Sequence, residues 1–252
     1  MKWRMLKIFL SLGLILFLIG GSYLIDNKGI YTENEIHDLP IYSVDTNEKL
    51  ISISFDVNWA ENDYLNSILE VLEKYNVKAT FFVMGRWGNY NDENIEKLKA
   101  IHEKGNEIGN HSYIHPSFTK ISKERMKEEV KKTDDIIEET IGERPKLFRF
   151  PSGDYNKEAC SYMWSLGYKV IQWNIDSVDW KERGLEVEYS KVKKEIKPGS
   201  IILFHNNAKY TPENLERILK DLSKDGYKVV PISELICNEN SDIDENGVQH
   251  RK

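Results

Sequence analysis

Residues 50–83, LISISFDVNWAENDYLNSILEVLEKYNVKATFFV, contain the unit that decides the fold. A β-rich run at 50–55 comes first, an amphipathic helical pattern follows at 63–75, and a second β-rich run closes the unit at 79–83. Strands that alternate with helices in this way are typical of α/β folds with mostly parallel strands. The unit therefore predicts an α/β fold.

The same alternation continues along the chain. The longest helical pattern places Met126, Val130, Ile137 and Ile141 on one face, with charged residues on the other, which predicts core packing. We expect a distorted (β/α) barrel of about seven strands with surrounding helices, in preference to a doubly wound open sheet; both folds place active groups at the carboxyl ends of their strands. The predicted strands are 50–55, 79–83, 107–109, 147–150, 169–173, 200–204 and 227–230, and the predicted helices are 63–75, 93–104, 122–141, 156–166, 187–196 and 212–225.

Residues 1–28 are predicted to form a membrane anchor. Residues 8–25 carry no charge, follow three basic residues and precede Asp26, as is typical of a membrane-inserting segment with its amino end inside. A cleaved signal peptide is the alternative, although Gly20-Gly21-Ser22 only partly matches a cleavage site. We therefore expect a membrane-anchored protein with an extracytoplasmic domain, or a secreted protein if the segment is cleaved.

Composition sets the remaining boundaries. Residues 29–48 are polar and are predicted to be a linker, 49–237 to form one domain, and 238–252, which lack an apolar period, to be a disordered tail.

Two cysteines, Cys160 and Cys237, cannot build a disulfide framework, and we favour two buried, unpaired thiols over one bridge. The net charge of −6 argues against nucleic acid as the main partner. No coiled-coil heptad stands out, so the oligomeric state is not predicted.

Polar residues that can carry chemistry follow most of the predicted strands. A single Asp or His at a strand end is more often a loop cap or a satisfied polar group than a catalyst. Their shared position is what points to one cleft, because the carboxyl ends of parallel strands meet at the same side of a sheet. These residues are Asp56 after the first strand, His111 and His115 after the third, Arg149 at the fourth, Asp176 and Asp179 after the fifth, and His205 after the sixth.

The two histidines after the third strand have metal-ligand spacing. His111 and His115 are four positions apart, a spacing that can bring both imidazoles to one divalent metal. A zinc protease of the zincin type would need Glu directly after the first His, and here that position is Ser112. The pair thus indicates a metal site and disfavours that protease class.

Five short motifs occur in order within residues 49–237. They are Ser54-Phe-Asp-Val-Asn-Trp59, His111-Ser-Tyr-Ile-His115, Arg149-Phe-Pro-Ser-Gly-Asp-Tyr-Asn156, Asp176-Ser-Val-Asp-Trp180 and Leu203-Phe-His205. Together they resemble the motifs of the polysaccharide deacetylases of carbohydrate esterase family 4, whose shared unit is the NodB homology domain. The variant first motif and the membrane-anchored layout look most like the subgroup associated with bacterial sporulation and cell-wall maturation.

The resemblance implies roles for the charged motif residues. Asp56 would be the general base, and His205 would be the acid that protonates the departing sugar amine. Arg149 would orient or tune Asp56. Either Asp176 or Asp179 would hold His205 in its useful tautomer and charge state, and the sequence does not distinguish between these two.

The resemblance also implies a cofactor and substrate contacts. A divalent metal of the zinc type would be held by His111, His115 and a carboxylate, and it would polarise an N-acetyl carbonyl. Expected substrate contacts are Leu203, which would line a pocket for the acetyl methyl, together with Pro151, Tyr155 and Trp180.

The first motif departs from the family pattern at Val57. The family has a second aspartate there that completes the metal site, and an aliphatic side chain cannot bind a metal. Asp56, Asn58 or water could fill the gap, or the protein could have lost hydrolysis and kept sugar binding. We expect weak metal binding that the substitution Val57→Asp strengthens.

The resulting hypothesis is a metal-dependent deacetylase that releases acetate from N-acetylated amino sugars of a cell-wall glycan. Peptidoglycan is the expected substrate and chitin-like oligomers are the alternative, with a role in spore formation. A non-catalytic glycan-binding protein on the same fold is the second hypothesis. A glycosidase is a distant third, since Asp56, Asp176 and Asp179 could supply two carboxylates.

Overall fold

A computed structural model describes residues 37–59, 61–238 and 240–252. Its main sheet has eight strands, all of its strand pairs are parallel, and it is curled into a partial barrel with helices packed against it. This confirms the α/β class and the barrel-like arrangement predicted from the alternating pattern.

All seven predicted strands are present in the main sheet, whose eighth strand, of two residues, precedes the sixth predicted one, and three further strands form a second, small sheet. The strands are β1 (Ser43–Val44), β2 (Leu50–Val57), β3 (Thr80–Val83), β4 (Glu107–Asn110), β5 (Leu147–Phe148), β6 (Lys169–Val170), β7 (Ile175–Asp176), β8 (Ile201–His205), β9 (Lys228–Val229), β10 (Ser241–Ile243) and β11 (Val248–Arg251). The neighbour order in the main sheet is β6-β5-β4-β3-β2-β8-β7, and β9 pairs with the amino-terminal end of β2.

All six predicted helices are also present, together with two short ones of four residues each. Helix α4 ends at Gly142, whose φ of 80° is the left-handed conformation expected of a glycine cap. Of the predicted apolar stripe on α4, Met126, Val130 and Ile137 are buried. The helices are α1 (Leu65–Lys74), α2 (Gly85–Gly88), α3 (Asp92–Glu103), α4 (Lys123–Ile141), α5 (Lys157–Ser165), α6 (Leu185–Glu195), α7 (Thr211–Lys224) and α8 (Ile232–Leu235).

Successive residues of the central strand β2 face opposite sides of the sheet, as the period of a strand requires. One set, which includes Val57, packs into the apolar cluster against the helices. The other set is polar: Ser54 donates a hydrogen bond from Oγ to the carbonyl oxygen of Ile202 at 2.8 Å, and Asp56 follows two residues later. The alternation therefore sends Asp56 to the polar face of the sheet and Val57 to the apolar face.

The carboxyl-terminal segment differs from its prediction. The sequence predicts a disordered tail at 238–252, but β10 and β11 form an antiparallel pair, and β11 also pairs in parallel with β1. The buried Gln249 side chain accepts a hydrogen bond from the backbone nitrogen of Cys237 and donates one to its carbonyl oxygen, both at 2.8 Å. Backbone and amide hydrogen bonds, rather than an apolar face, hold this segment, so hydrophobic periodicity does not reveal it.

The predicted linker at 29–48 also differs where it is described. Ile41 is fully buried, and its backbone nitrogen donates to the carbonyl oxygen of Val170 at 2.8 Å. Strand β1 follows immediately. The folded domain thus begins before residue 49, because this segment adds backbone hydrogen bonds at the edge of the sheet.

Two predictions concern the ends and the cysteines of the chain. The predicted membrane segment at 8–25 lies outside the described residues. Across the part of the chain that the structure describes, no helix is long and apolar enough to cross a membrane. Cys160 and Cys237 are both buried and unpaired, which confirms the prediction.

Candidate active site

A cavity of about 420 Å³ opens at the carboxyl ends of β2, β7 and β8. Six predicted site residues line it: Asp56, His115, Asp176, Trp180, Leu203 and His205. A second cavity, of about 480 Å³, lies at the amino ends of β4, β5 and β6 and contains none of the predicted site residues. The first cavity is therefore the candidate active site.

Asp56 is anchored by a fully buried arginine. The Arg149 guanidinium donates from Nη1 to Asp56 Oδ1 at 2.8 Å, and from Nη2 to Ser54 Oγ at 2.9 Å and the Gln172 carbonyl oxygen at 3.1 Å. The guanidinium also lies over the Phe82 ring, 4.0 Å from its centroid. Arg149 therefore lies behind Asp56 and fixes its orientation, as the resemblance implies.

His111 is fully buried, and its hydrogen bonding fixes its tautomer. Its Nδ1 lies 2.9 Å from the carbonyl oxygen of Arg149, which can only accept, so Nδ1 carries the proton. Nε2 then bears a lone pair, finds no hydrogen-bond partner among the described residues, and lies 3.4 Å from Asp56 Oδ2. Burial lowers the pKa of His111 to about 4, so the ring is neutral at pH 7. Two acceptor atoms thus face each other, an arrangement that a cation between them would relieve.

His115 lies beside His111, with ring centroids 4.9 Å apart and planes at 71°. Burial lowers its pKa as well, which keeps this second ring in the neutral form that metals bind. In the described ranges, no group of three or more His, Cys, Asp or Glu side chains is arranged to hold a metal ion. The structure therefore brings the two predicted imidazoles together without a complete three-ligand group.

His205 is held by Asp179 and not by Asp176. Its Nδ1 lies 2.7 Å from Asp179 Oδ1, and its backbone nitrogen donates to Asp179 Oδ2 at 2.8 Å. Thr211 donates to the same Oδ2 at 2.6 Å. The Asp176 carboxylate instead accepts from the backbone nitrogen of Val178 at 2.8 Å. The geometry thus decides between the two aspartates that the sequence leaves open.

Asp56 and His205 are paired across neighbouring strands, and their pKa values are shifted in opposite directions. Burial alone would raise the pKa of Asp56, but the electrostatic interactions with the neighbouring His111, Arg149 and His205 side chains outweigh burial and lower the pKa. Burial alone would lower the pKa of His205, but the hydrogen bond and charge of Asp179 outweigh it and raise the pKa. One cavity therefore holds an ionised carboxylate beside an imidazole that favours its protonated form.

The expected gain from Val57→Asp does not agree with the structure. Val57 is fully buried in the apolar cluster on the helix side of β2, and it does not line the cavity. Asn58 does line it, and its Oδ1 is buried without a hydrogen-bond partner among the described residues. The residue next to Val57, rather than Val57 itself, thus offers an oxygen to this site.

Two of the four predicted substrate contacts line the cavity and two do not. Leu203 and the 56% exposed Trp180 are lining residues. Pro151 is buried in a turn of 3₁₀ helix, and Tyr155 stacks on Phe150 and receives a hydrogen bond from Tyr42. Of the turn at 151–153, Ser152 rather than Pro151 lines the cavity.

Two lining residues, Ser152 and Trp173, were not predicted as site residues, whereas Asn58 was one of the groups expected to be able to fill the gap left by Val57. Each lies in or next to a predicted element. Ser152 is part of the third motif and has a left-handed φ of 55°, and Trp173 ends the predicted strand 169–173. The sequence places these residues near predicted strand ends, but many ordinary loop residues lie there too, so position alone does not identify them as lining residues.

The family model for polysaccharide deacetylase matches residues 43–171. The chain belongs to the polysaccharide deacetylase family. Among curated proteins it is 34% identical over 197 residues to the uncharacterized protein YlxY of Bacillus subtilis, covering 78% of this chain and 60% of YlxY. It is 35% identical over 204 residues to the peptidoglycan-N-acetylmuramic acid deacetylase PdaC of the same organism, covering 81% of this chain and 42% of PdaC. The chain thus spans less than two thirds of the length of both relatives.

Solved structures show the same fold. The chain matches BA3943 of Bacillus anthracis, described as a CE4 family pseudoenzyme, with a TM-score of 0.74 and 33% identity, covering 85% of this chain and 74% of that one. It matches PdaA of Bacillus subtilis, described as a family 4 carbohydrate esterase, with a TM-score of 0.72 and 30% identity, covering 78% of this chain and 84% of PdaA. A BA3943 mutant is described as having restored enzymatic activity. The fold is therefore shared by proteins described as active and as inactive.

Proposed function

We propose that this protein hydrolyses N-acetyl groups on amino sugars of a cell-wall glycan, with peptidoglycan as the substrate class. The observation that carries the proposal is the pairing of Asp56 with His205 in one cavity, each backed by its own buried partner. A protein that only binds glycans needs neither proton-transfer group. The names of the relatives PdaC and PdaA support peptidoglycan as the substrate.

The two groups divide the proton transfers of amide hydrolysis. Asp56, ionised at neutral pH, accepts a proton from the water whose oxygen adds to the acetyl carbonyl carbon. His205, oriented through Nδ1 by Asp179, has Nε2 left to donate a proton to the sugar nitrogen as the carbon–nitrogen bond breaks. Acetate and a free amine are the products. Asp179 positions His205, and Arg149 positions Asp56.

His111 and His115 fit a divalent metal, zinc being the expected one. The fit rests on the buried, unpartnered Nε2 of His111, which holds a lone pair beside Asp56 Oδ2. A metal bound there would supply Lewis acidity toward the acetyl carbonyl and lower the pKa of bound water. Because no group of three or more His, Cys, Asp or Glu side chains among the described residues is arranged to hold a metal ion, we expect weak binding.

The cavity wall suits an N-acetylated sugar. Leu203 is an apolar wall for the acetyl methyl, and the exposed Trp180 ring offers a face on which a sugar can stack. We further propose that residues 8–25 anchor the protein in the membrane with this domain outside the cell, or that they are cleaved on export, and that it acts in spore formation. These last proposals rest on the sequence alone.

Acetate release tests the proposed activity. The full-length protein is incubated with N-acetylated peptidoglycan fragments, with added zinc or cobalt and again after chelation, beside D56N and the exposed control E186Q. We expect metal-dependent acetate release that D56N abolishes and E186Q retains. Glycan binding by a folded protein without acetate release at any metal concentration would contradict hydrolysis and select a binding protein. New reducing ends without acetate would select a glycosidase.

A further inference from the structure

The loop that carries the two histidines is held in an unfavourable backbone conformation. Ser112 has a φ of 65° and His115 a φ of 62°, both in the left-handed region that non-glycine residues rarely adopt. Such residues persist only where the surrounding structure over-determines them, and they cluster at functional sites. The contacts that hold this loop are therefore candidates for a role in the site.

One of these contacts is a buried carboxylate on helix α4. Glu129 is fully buried, and its Oε2 accepts hydrogen bonds from the backbone nitrogens of Tyr113 and Ile114, both at 2.9 Å. Its Oε1 accepts from the Arg125 guanidinium. A buried charge is tolerated when it is paired and hydrogen-bonded, as here. Both amides belong to the peptide units between His111 and His115.

The other side of the same peptide units is held from a different helix. The backbone nitrogens of Gly85 and Arg86, at the start of α2, donate to the carbonyl oxygens of Ser112 and Tyr113 at 2.9 and 3.0 Å. Only a residue without a side chain fits at position 85, since a Cβ there would lie 2.5 Å from Thr133 Oγ1 on α4. Two helices therefore hold the loop from two sides.

Asn110, fully buried at the end of β4, completes the support. Its Oδ1 accepts from the Ser112 backbone nitrogen at 2.8 Å, and its Nδ2 donates to the carbonyl oxygen of Val130 and to Asp134 Oδ1, both at 2.8 Å. Helix α4 thus holds the loop both at its beginning and in its middle.

We propose that Glu129 is a positioning residue that sets the relative placement of the His111 and His115 imidazoles. The carboxylate fixes the two amides between the histidines, so the rings cannot rotate apart by relaxation of the strained backbone. This proposal rests on the proposed role of the two histidines as metal ligands. It goes beyond the family motifs, because Glu129 lies in none of the five.

Zinc titration of the full-length protein tests the proposal directly. We expect E129A to bind Zn²⁺ at least tenfold more weakly than the unaltered protein, and E129Q, which keeps an oxygen acceptor for the amides, to lose less. The matched control is E128A, one residue away on the same helix, where the carboxylate is 46% exposed and pairs with Arg125 and Lys132. Unchanged affinity in a folded E129A would overturn the proposal.

A metal-free readout separates this proposal from the proposed function. In apo-protein we expect E129A to speed hydrogen exchange at the Tyr113 and Ile114 amides at least tenfold and to shift the imidazole nitrogen signals of both histidines, while α4 stays protected. If the unaltered protein binds no Zn²⁺, the metal assignment fails, and unshifted imidazole signals in E129A would overturn the positioning role. Should E129A not fold, E129D carries the same comparison, because it keeps the charge and withdraws the carboxylate by one methylene.

Discussion

Asp179 binds His205 at two points: Oδ1 lies 2.7 Å from the ring nitrogen Nδ1, and Oδ2 accepts from the backbone nitrogen at 2.8 Å. Asp179 is 1% exposed, so this double contact takes place out of solvent. A carboxylate in this position fixes both the ring orientation and the tautomer, and it stabilises the protonated imidazole.

Replacing Asp179 should lower the pKa of His205. In D179N, burial still disfavours the imidazolium and the strongest opposing effects are gone, leaving only the smaller effects of Asp56 and Asp176, so we expect the pKa to fall. The alkaline limb of kcat/KM should move to lower pH with it, and kcat should fall tenfold or more. NMR titration of the ring measures the pKa without requiring turnover. The comparison variant D176N should produce a smaller shift; an equal or larger one would contradict the assignment of Asp179.

Removing Arg149 should both destabilise the fold and change the ionisation of Asp56. R149M leaves the buried carboxylate without its partner, which we expect to cost about 3–5 kcal/mol of unfolding free energy. The pKa of Asp56 should rise, because the charge and hydrogen bond of Arg149 no longer oppose burial, and the acid limb of the activity profile should move to higher pH. R149K, which retains the charge, should lose less stability and should raise the pKa of Asp56 less than R149M does. Urea unfolding and pH–rate profiles check this, and an unshifted acid limb in folded R149M would count against it.

Substitutions at positions 57 and 58 should have opposite effects. V57D places a carboxylate in the apolar cluster against the helices, and we expect a loss of about 3–5 kcal/mol with no gain in zinc affinity. N58D instead places the carboxylate at the cavity wall. The backbone of residue 58 is already held there by two hydrogen bonds with the Asn206 side chain, of 2.9 and 3.2 Å. We expect about tenfold tighter zinc binding there, since a carboxylate adds a charged oxygen ligand. Calorimetry that finds the gain in V57D instead would show that the backbone of β2 rearranges.

Glu188 on α6 should make the stability of the fold depend on pH. Burial, with the charge of Asp179 nearby, raises its pKa to about 7, above the value of 4.5 expected when the chain unfolds. Between these values the folded state holds a proton that the unfolded state releases, so this group costs stability as pH rises from about 4.5 to about 7. E188Q should remove that loss and gain stability over the unaltered protein at pH 8 but not at pH 4.

The matched control for Glu188 is E186Q on the same helix, whose carboxylate is 71% exposed and pairs with Arg217. Urea unfolding at pH 4 and pH 8 gives the comparison. Parallel pH curves for E188Q and the unaltered protein would show that Glu188 is ionised in the fold.

Local pattern was enough to predict most of the scaffold. Strand and helix periods depend on near neighbours, so the alternation beginning at 50–83 located seven strands and six helices, and the rule for parallel strands brought Asp56 and His205 to the same edge. Short elements were missed for the same reason: β7 has two residues, and β10 and β11 pair through backbone groups without an apolar stripe.

Tertiary structure alone decided how the site is assembled. Three features of the site depend on contacts between separate elements. His205 is held by Asp179 and not by Asp176, and Asp56 is held by Arg149, which lies 93 residues away in the chain. Glu129 accepts hydrogen bonds from the loop between the two histidines. No sequence period encodes the direction of a side chain beyond a strand end, where the backbone leaves its regular pleat. The sequence by itself therefore determined which residues gather at this edge, and the packing of strands and helices determined which atoms face one another.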